Sequence, residues 1–166
     1  MSEMPATRAT AFDLRPARLT NRSRRISTVL LATDLSPVSQ DATIEAVELC
    51  RALSASLLVL NVIDAGQGFG IKFRPSTPRS RLDQLRAERE QKLLGIVEQA
   101  RGVGVHATFL VWTGEPGQSI VSAAEAENAD LVVVGTRALD RAGRFLLGSV
   151  SDYVVNHSTC PVLIAR

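Results

Sequence analysis

The sequence predicts an α/β domain built on one open, doubly wound, parallel five-stranded sheet with helices on both faces. Three observations predict it. Five short apolar runs, at 26–32, 56–63, 105–112, 131–134 and 161–165, are separated by stretches in which apolar residues recur at helical spacing. Most of these runs are nearly continuous rather than alternating, as strands covered on both faces require. The chain has 166 residues and is 45% apolar, which suits a single core.

The elements follow in order. Residues 1–25 have no sustained period of 2 or 3.6 and read as a disordered or loosely docked arm. The arm holds six arginines against Glu3 and Asp13, a net charge of +4, so the domain at 26–166 carries −2 of the overall +2. Ile26–Ala32 is the first strand, followed by Thr33-Asp34-Leu35-Ser36, with Pro37 as the stop. Ser39 is positioned to cap a helix to Leu53, whose apolar stripe is Ala42, Ala46, Leu49, Cys50 and Leu53. Ser56–Ile63 is the second strand, ending at Asp64. A Gly/Pro-rich stretch within 64–81 follows, long enough to suggest a functional or disordered loop.

Arg81–Arg101 is the longest helix, with Leu82, Leu85, Leu93, Leu94 and Val97 on its apolar side. Arg86/Glu90 and Glu88/Lys92 are i, i+4 pairs on the other side, and Gly102 and Gly104 end it. Val105–Trp112 alternates more than the other strands and reads as an edge or half-exposed strand, with His106 inside it. Gly114-Glu115-Pro116 turns into a helix to Asn128, Pro116 standing where its missing N–H matters least. Leu131–Val134 is the fourth strand. Gly148-Ser149 opens a last helix ending at His157, and Pro161–Ala165 is the fifth strand.

Composition excludes several functions. No segment reaches the ~18 apolar residues of a membrane span, and no apolar region near the start suits a secretory signal, so a cytoplasmic location is expected. An Arg-rich, acid-poor start also loosely fits a transit peptide. The slightly acidic domain, with 4% aromatics, offers neither a basic surface nor stacking platforms for nucleic acid. Cys50 and Cys160 lie in apolar contexts without CxxC spacing and read as buried structural thiols. No HExxH or Ser–His–Asp order is found. Gly143 and Gly148 have Walker A spacing, but Ser149 occupies the lysine position.

Ligands of doubly wound sheets sit at strand carboxyl ends, and three such ends carry chemistry. Asp34 can accept from a ribose hydroxyl, an adenine amino group or a metal-bound water, or close an Asx turn before Pro37. Val62–Asp64 ends the second strand. Gly135-Thr136-Arg137 leads through Arg141 and Arg144 to Gly148-Ser149, a glycine turn and a helix N-terminus where unpaired N–H groups and the dipole favour an anion. Three guanidinium groups there suit phosphate. Ser149 and Ser151 can donate to phosphate or serve as helix caps.

Gly135, Ala138, nine residues from Leu139 to Leu147, and Gly148-Ser149 follow the pattern G-x-x-G, nine residues, G-[ST], with Ala138 in place of the second glycine. With the opening VLLATDLS, the Gly114-Glu115-Pro116 turn and the closing VSDYVV and CPVLIAR, this stretch resembles the universal stress protein family over about residues 26–166. The resemblance implies an adenine nucleotide alpha hydrolase-like fold and a stress-response regulator or sensor that binds ATP, AMP or ADP, with Mg²⁺ as a possible companion. Ala32, Asp34 and Val62 would hold the adenine end. Gly135, Arg137, Ala138, Gly148, Ser149, Val150 and Ser151 would hold ribose and phosphates. It further implies a homodimer through Val162–Ile164, an apolar terminal edge that invites a second chain. Two other functions stay open: a non-nucleotide interaction protein acting through the dimer and the basic arm, and a slow ATPase.

Overall fold

The computed structural model describes residues 25–64, 79–136 and 148–165. The basic arm before residue 25, the stretch 65–78, and 137–147 with the motif positions Arg137 and Ala138 lie outside the described residues. Strands β1 (Thr28–Ala32), β2 (Ser56–Asp64), β3 (Ala107–Gly114), β4 (Leu131–Gly135) and β5 (Val162–Ala165) form one parallel sheet in the order β3-β2-β1-β4-β5. The helices are α1 (Gln40–Leu53), α2 (Arg79–Gly102), α3 (Pro116–Ala126) and α4 (Ser149–His157).

The period of 2 along each strand divides the core into two layers. Val29, Leu31, Leu57, Val59, Leu131 and Val133 face one side, against Ala42, Ala46 and Cys50 of α1 and Leu93, Val97 and Ala100 of α2. Leu30, Leu58, Leu60, Val132 and Val134 face the other, against Ile120, Ala123 and Ala124 of α3 and Val154 of α4. This two-sided burial is why β1, β2 and β4 read as continuous apolar runs.

Several boundaries differ from the sequence expectation, each for a local reason. β1 begins at Thr28 because the Ser27 and Thr28 N–H groups donate to the Asp130 carboxylate, at 2.9 and 3.1 Å, instead of to a neighbouring strand. β3 begins at Ala107, leaving His106 just outside it. Val105 N–H instead closes the end of α2 on Ala100 O at 3.0 Å, around Gly104 at φ +86°. α3 stops at Ala126 because Asn128 turns left-handed, at φ 51°, and Ala129 N–H returns to Ala124 O. α1 starts at Gln40, after a single 3₁₀ turn at Pro37–Ser39. Ser39 occupies the N-cap position, yet its hydroxyl makes no capping bond. It donates to Ser36 O at 2.8 Å and lies 2.9 Å from Thr33 Oγ1.

β3 is an edge strand, as its alternation suggested. Its outward carbonyls are covered by arginines of α2: Arg86 Nη2 donates to Val111 O, and Arg101 donates through both Nε and Nη2 to Ala107 O. Such covering blunts a free edge. Arg86 also pairs with Glu90 at 3.3 Å, the i, i+4 contact read from the sequence. His157, ending α4, stacks on Tyr153 with ring centroids 3.9 Å apart.

Cys50 is fully buried, whereas Cys160 is half-buried, so only one of the two thiols is a core residue. Burial pushes the Cys50 thiol from 9.0 up to about 11. The unfolded chain therefore sheds this proton first. Cys50's contribution to stability is complete below about pH 9 and is lost as pH rises toward about 11. At pH 8 a thiol reagent is expected to titrate no more than Cys160 in the native protein and both thiols in denaturant. Equal, rapid labelling of both native thiols would contradict the burial.

Candidate functional site

Chain direction determines where a cleft can open. From adjacent strands, β1 leads to α1 on one face of the sheet and β4 leads to α4 on the other. The two connections diverge, leaving a crevice beyond the strand carboxyl ends. A cleft of about 630 Å³ lies there, within the range of small-ligand sites. Ala32, Leu60, Val62, Ile120 and Val134 line its apolar part, and Asp34, Asp64, Glu115 and Arg89 are its charged lining among the described residues.

The β1 corner is tightly wired. Thr33 is buried; its Oγ1 accepts Leu35 N–H at 3.0 Å, and Asp34 Oδ1 accepts Ser36 N–H at 3.0 Å. The second bond is the Asx turn anticipated before Pro37. Between them Leu35 takes φ 61°, the left-handed region that a non-glycine side chain avoids. Such strain persists only where surroundings over-determine it, and it clusters at ligand clamps. The Thr33 carbonyl accepts Asn61 Nδ2 at 2.8 Å, so β2 also holds the corner. Asn61 is itself buried and lines the cleft, and its Oδ1 has no hydrogen-bond partner among the described residues. A buried acceptor without a donor costs roughly 1–3 kcal/mol.

Three helix N-termini reach the cleft: α1 through its N-cap Ser39, behind the 3₁₀ turn, and α3 and α4, which are finished differently from each other. At α3, Glu115 is the N-cap: its carboxylate accepts Gly117 N–H at 3.1 Å and Gln118 N–H at 2.7 Å. That end is satisfied by its own chain. At α4, Gly148 is the N-cap with no side chain to offer, at φ −65° and ψ 157°. The first-turn N–H groups of Ser149, Val150 and Ser151 have no intrahelical acceptor, and the dipole is positive there. Ser151 is buried and donates its hydroxyl to Gly148 O at 3.0 Å, so that proton is spent within the turn.

Of the residues singled out in the sequence, Ala32, Asp34, Val62, Gly135, Gly148, Ser149, Val150 and Ser151 all line this one cleft. Arg137 and Ala138 lie outside the described residues. Asn61 and Arg89 are among the lining residues that sequence reasoning missed, and they are the ones with a side chain suited to hydrogen-bond a ligand from inside an element. Arg89 is half-buried and donates Nη1 to Asp34 O at 3.3 Å. Its signal was in the pattern: Leu82, Leu85, Arg89, Leu93 and Val97 fall in one helical register, so a guanidinium stands in an apolar stripe.

Could such a cleft hold an adenine nucleotide? The apolar strand ends suit a base, Asp34 suits hydroxyl or amino donors, and the N-terminus of α4, whose N-cap brings no side chain, suits phosphate. The orphaned Asn61 acceptor adds a place for a donor. Among the described residues no group of three His, Cys, Asp or Glu side chains is placed to hold a metal ion. The described helices include none long and apolar enough to cross a membrane.

The model of the universal stress protein family matches residues 25–166. The universal stress protein YxiE of Bacillus subtilis is 34% identical over 147 residues, covering 83% of this chain and 97% of that protein. The solved structure of UspA from Lactobacillus plantarum is 25% identical with a TM-score of 0.68, covering 86% of this chain and 99% of the other. A universal stress protein solved in complex with cAMP is 26% identical with a TM-score of 0.65, covering 86% of this chain and 98% of the other.

Proposed function

The chain belongs to the universal stress protein family, and on that footing we propose that it is a cytosolic stress-response regulator or sensor that binds ATP, AMP or ADP in the cleft. One observation carries this reading: residues from three separate strand ends, Asp34, Val62 and Gly135, converge with the N-terminus of α4 on a single cavity. The complex of the cAMP-bound relative, at 26% identity, points to the same ligand class.

In this reading Ala32 and Val62 pack against the adenine, and Asp34 accepts from its amino group or from a ribose hydroxyl. The amides of Gly148, Ser149, Val150 and Ser151 receive the phosphates, with Gly135, Arg137 and Ala138 completing the cradle. The phosphates bring Mg²⁺ with them. Backbone donors and a helix dipole favour anions without any catalytic group, so binding and not chemistry is the proposed activity. Calorimetric titration with ATP and Mg²⁺ tests it. Saturable heat with one site per chain is expected; no heat and no thermal shift at millimolar ATP would sink the proposal.

β5 is the other edge of the sheet, with Leu163 38% exposed and Val162 and Ile164 half-buried. An unpaired apolar edge of this kind suits self-association through Val162–Ile164. Leu163→Lys is expected to convert a dimer to a monomer in sedimentation while leaving the fold intact. A dimer unchanged by the added charge would argue for another interface.

A second reading, an interaction protein of the same fold without nucleotide, is favoured by Ala138, which stands where the family motif has its second glycine. A methyl group there can hinder the close approach of phosphate. Titration with ATP separates the two readings.

A further inference from the structure

We propose that Arg89 is a specificity-determining residue of the cleft, a cation by which it selects a phosphorylated adenine ligand over the free nucleoside. This rests on the nucleotide-binding reading above and adds the residue that sets its charge preference. Three observations point to it. First, the charged side chains lining the cleft among the described residues are three carboxylates, Asp34, Asp64 and Glu115, and one cation, Arg89. A carboxylate raises the local potential energy of an entering phosphate, and a guanidinium lowers it, more strongly in a partly water-excluded site than in bulk water.

Second, Arg89 is directed differently from its neighbours on α2. Arg86 is committed to Glu90 and the Val111 carbonyl, and Arg101 to the Ala107 carbonyl, both at the β3 edge. Arg89 instead lies in register with Leu82, Leu85, Leu93 and Val97 and reaches the rim of the cleft. There a single Nη1 donates to Asp34 O at 3.3 Å. A guanidinium has five N–H donors, and one long bond to a carbonyl leaves the rest of the fork to face a ligand. Third, a charge placed in an apolar stripe carries a desolvation cost that an alanine or leucine would not. Packing alone gives no reason for it, whereas recognition of an anion does.

Arg89 and the N-terminus of α4 are then two positive features that the described residues offer an anion, on opposite walls of the same cavity. A phosphate held between them gains from both. The free nucleoside, being neutral, gains from neither.

Calorimetric titration of the full chain with adenosine and with AMP, at one fixed ionic strength, tests the proposal on wild type, Arg89→Gln and Arg89→Lys. Wild type is expected to prefer AMP. Arg89→Gln should lower AMP affinity by about 10-fold while changing adenosine affinity less than about 2-fold, which narrows the preference by about that factor and leaves the share owed to the α4 end. Arg89→Lys should fall between, keeping the charge but not the fork. Melting temperatures of the variants check that the Asp34 corner still folds. An equal loss for adenosine and AMP would make Arg89 a support of the corner and overturn the proposal alone, as would an unchanged preference. A wild-type protein that binds neither compound would overturn the nucleotide reading itself, and this proposal with it.

Discussion

Gly148→Leu is expected to lower ATP affinity by about 100-fold or more while leaving a folded protein. Gly148 sits at φ −65° and ψ 157°, an extended conformation open to any residue, so the backbone does not demand glycine. What its lack of a side chain provides is access to the first turn of α4, at a position lining the cleft. Leucine would cover the amides of Ser149 and Val150. Losing one or two charge-assisted hydrogen bonds, each worth about 1.5–3 kcal/mol, corresponds to about 10- to 10⁴-fold in affinity. The cost to folding is smaller, about 1 kcal/mol for a poorer N-cap. Calorimetry reads the first effect and urea unfolding the second. Unchanged affinity in a folded variant would mean that phosphate does not use this helix end.

Leu30→Ala is expected to destabilise the domain by about 2–5 kcal/mol. Leu30 has no exposed surface, lies on the central strand opposite Leu58 and Val132 in register, and packs into the layer beneath α3 and α4. Collapse around the lost volume is hindered by strands on both sides. Each kcal/mol lowers the melting temperature by roughly 2–4 °C in a domain of this size. Val38→Ala, at a position 54% exposed in the 3₁₀ turn, is expected to stay within about 0.5 kcal/mol of wild type. A Leu30→Ala variant as stable as Val38→Ala would contradict the two-layer core.

How much of this was legible in the sequence depends on where the information is carried. The sheet and helices were readable because burial on both faces writes itself into runs such as Val29–Leu31 and Leu57–Leu60. That the strands run parallel was implied by their apolar character and by connections too long for hairpins, but which two strands diverge was not, because strand order is decided by packing. Element ends were less readable, since they are decided by tertiary partners. Asp130 takes the Ser27 and Thr28 N–H groups and so delays the start of β1 to Thr28, a contact across more than a hundred residues that no local pattern announces. Ser39 looked like a cap by composition, but its hydroxyl is taken up by Thr33 and Ser36.

The cleft was partly legible for a related reason. Strand-end positions such as Asp34, Val62 and Gly135 are marked by where the apolar runs stop. Arg89 and Asn61 are not, because each lies inside an element and reaches the cavity only once α2 and β2 are packed. Both nonetheless left a trace: a cation in a leucine stripe, and an amide in the middle of an otherwise apolar strand.

The central claim is that an adenine nucleotide is held at the carboxyl ends of β1, β2 and β4 against α4. Backbone amide NMR of the full chain, titrated with ATP and Mg²⁺, tests it most directly. The expected result is saturable shifts concentrated at Asp34, Val62, Gly135, Ser149 and Val150. Shifts confined elsewhere, for example to the apolar groove of about 300 Å³ between α1 and α2 lined by Ile44, Val47, Ile96 and Val103, or no shifts at millimolar ATP, would contradict it.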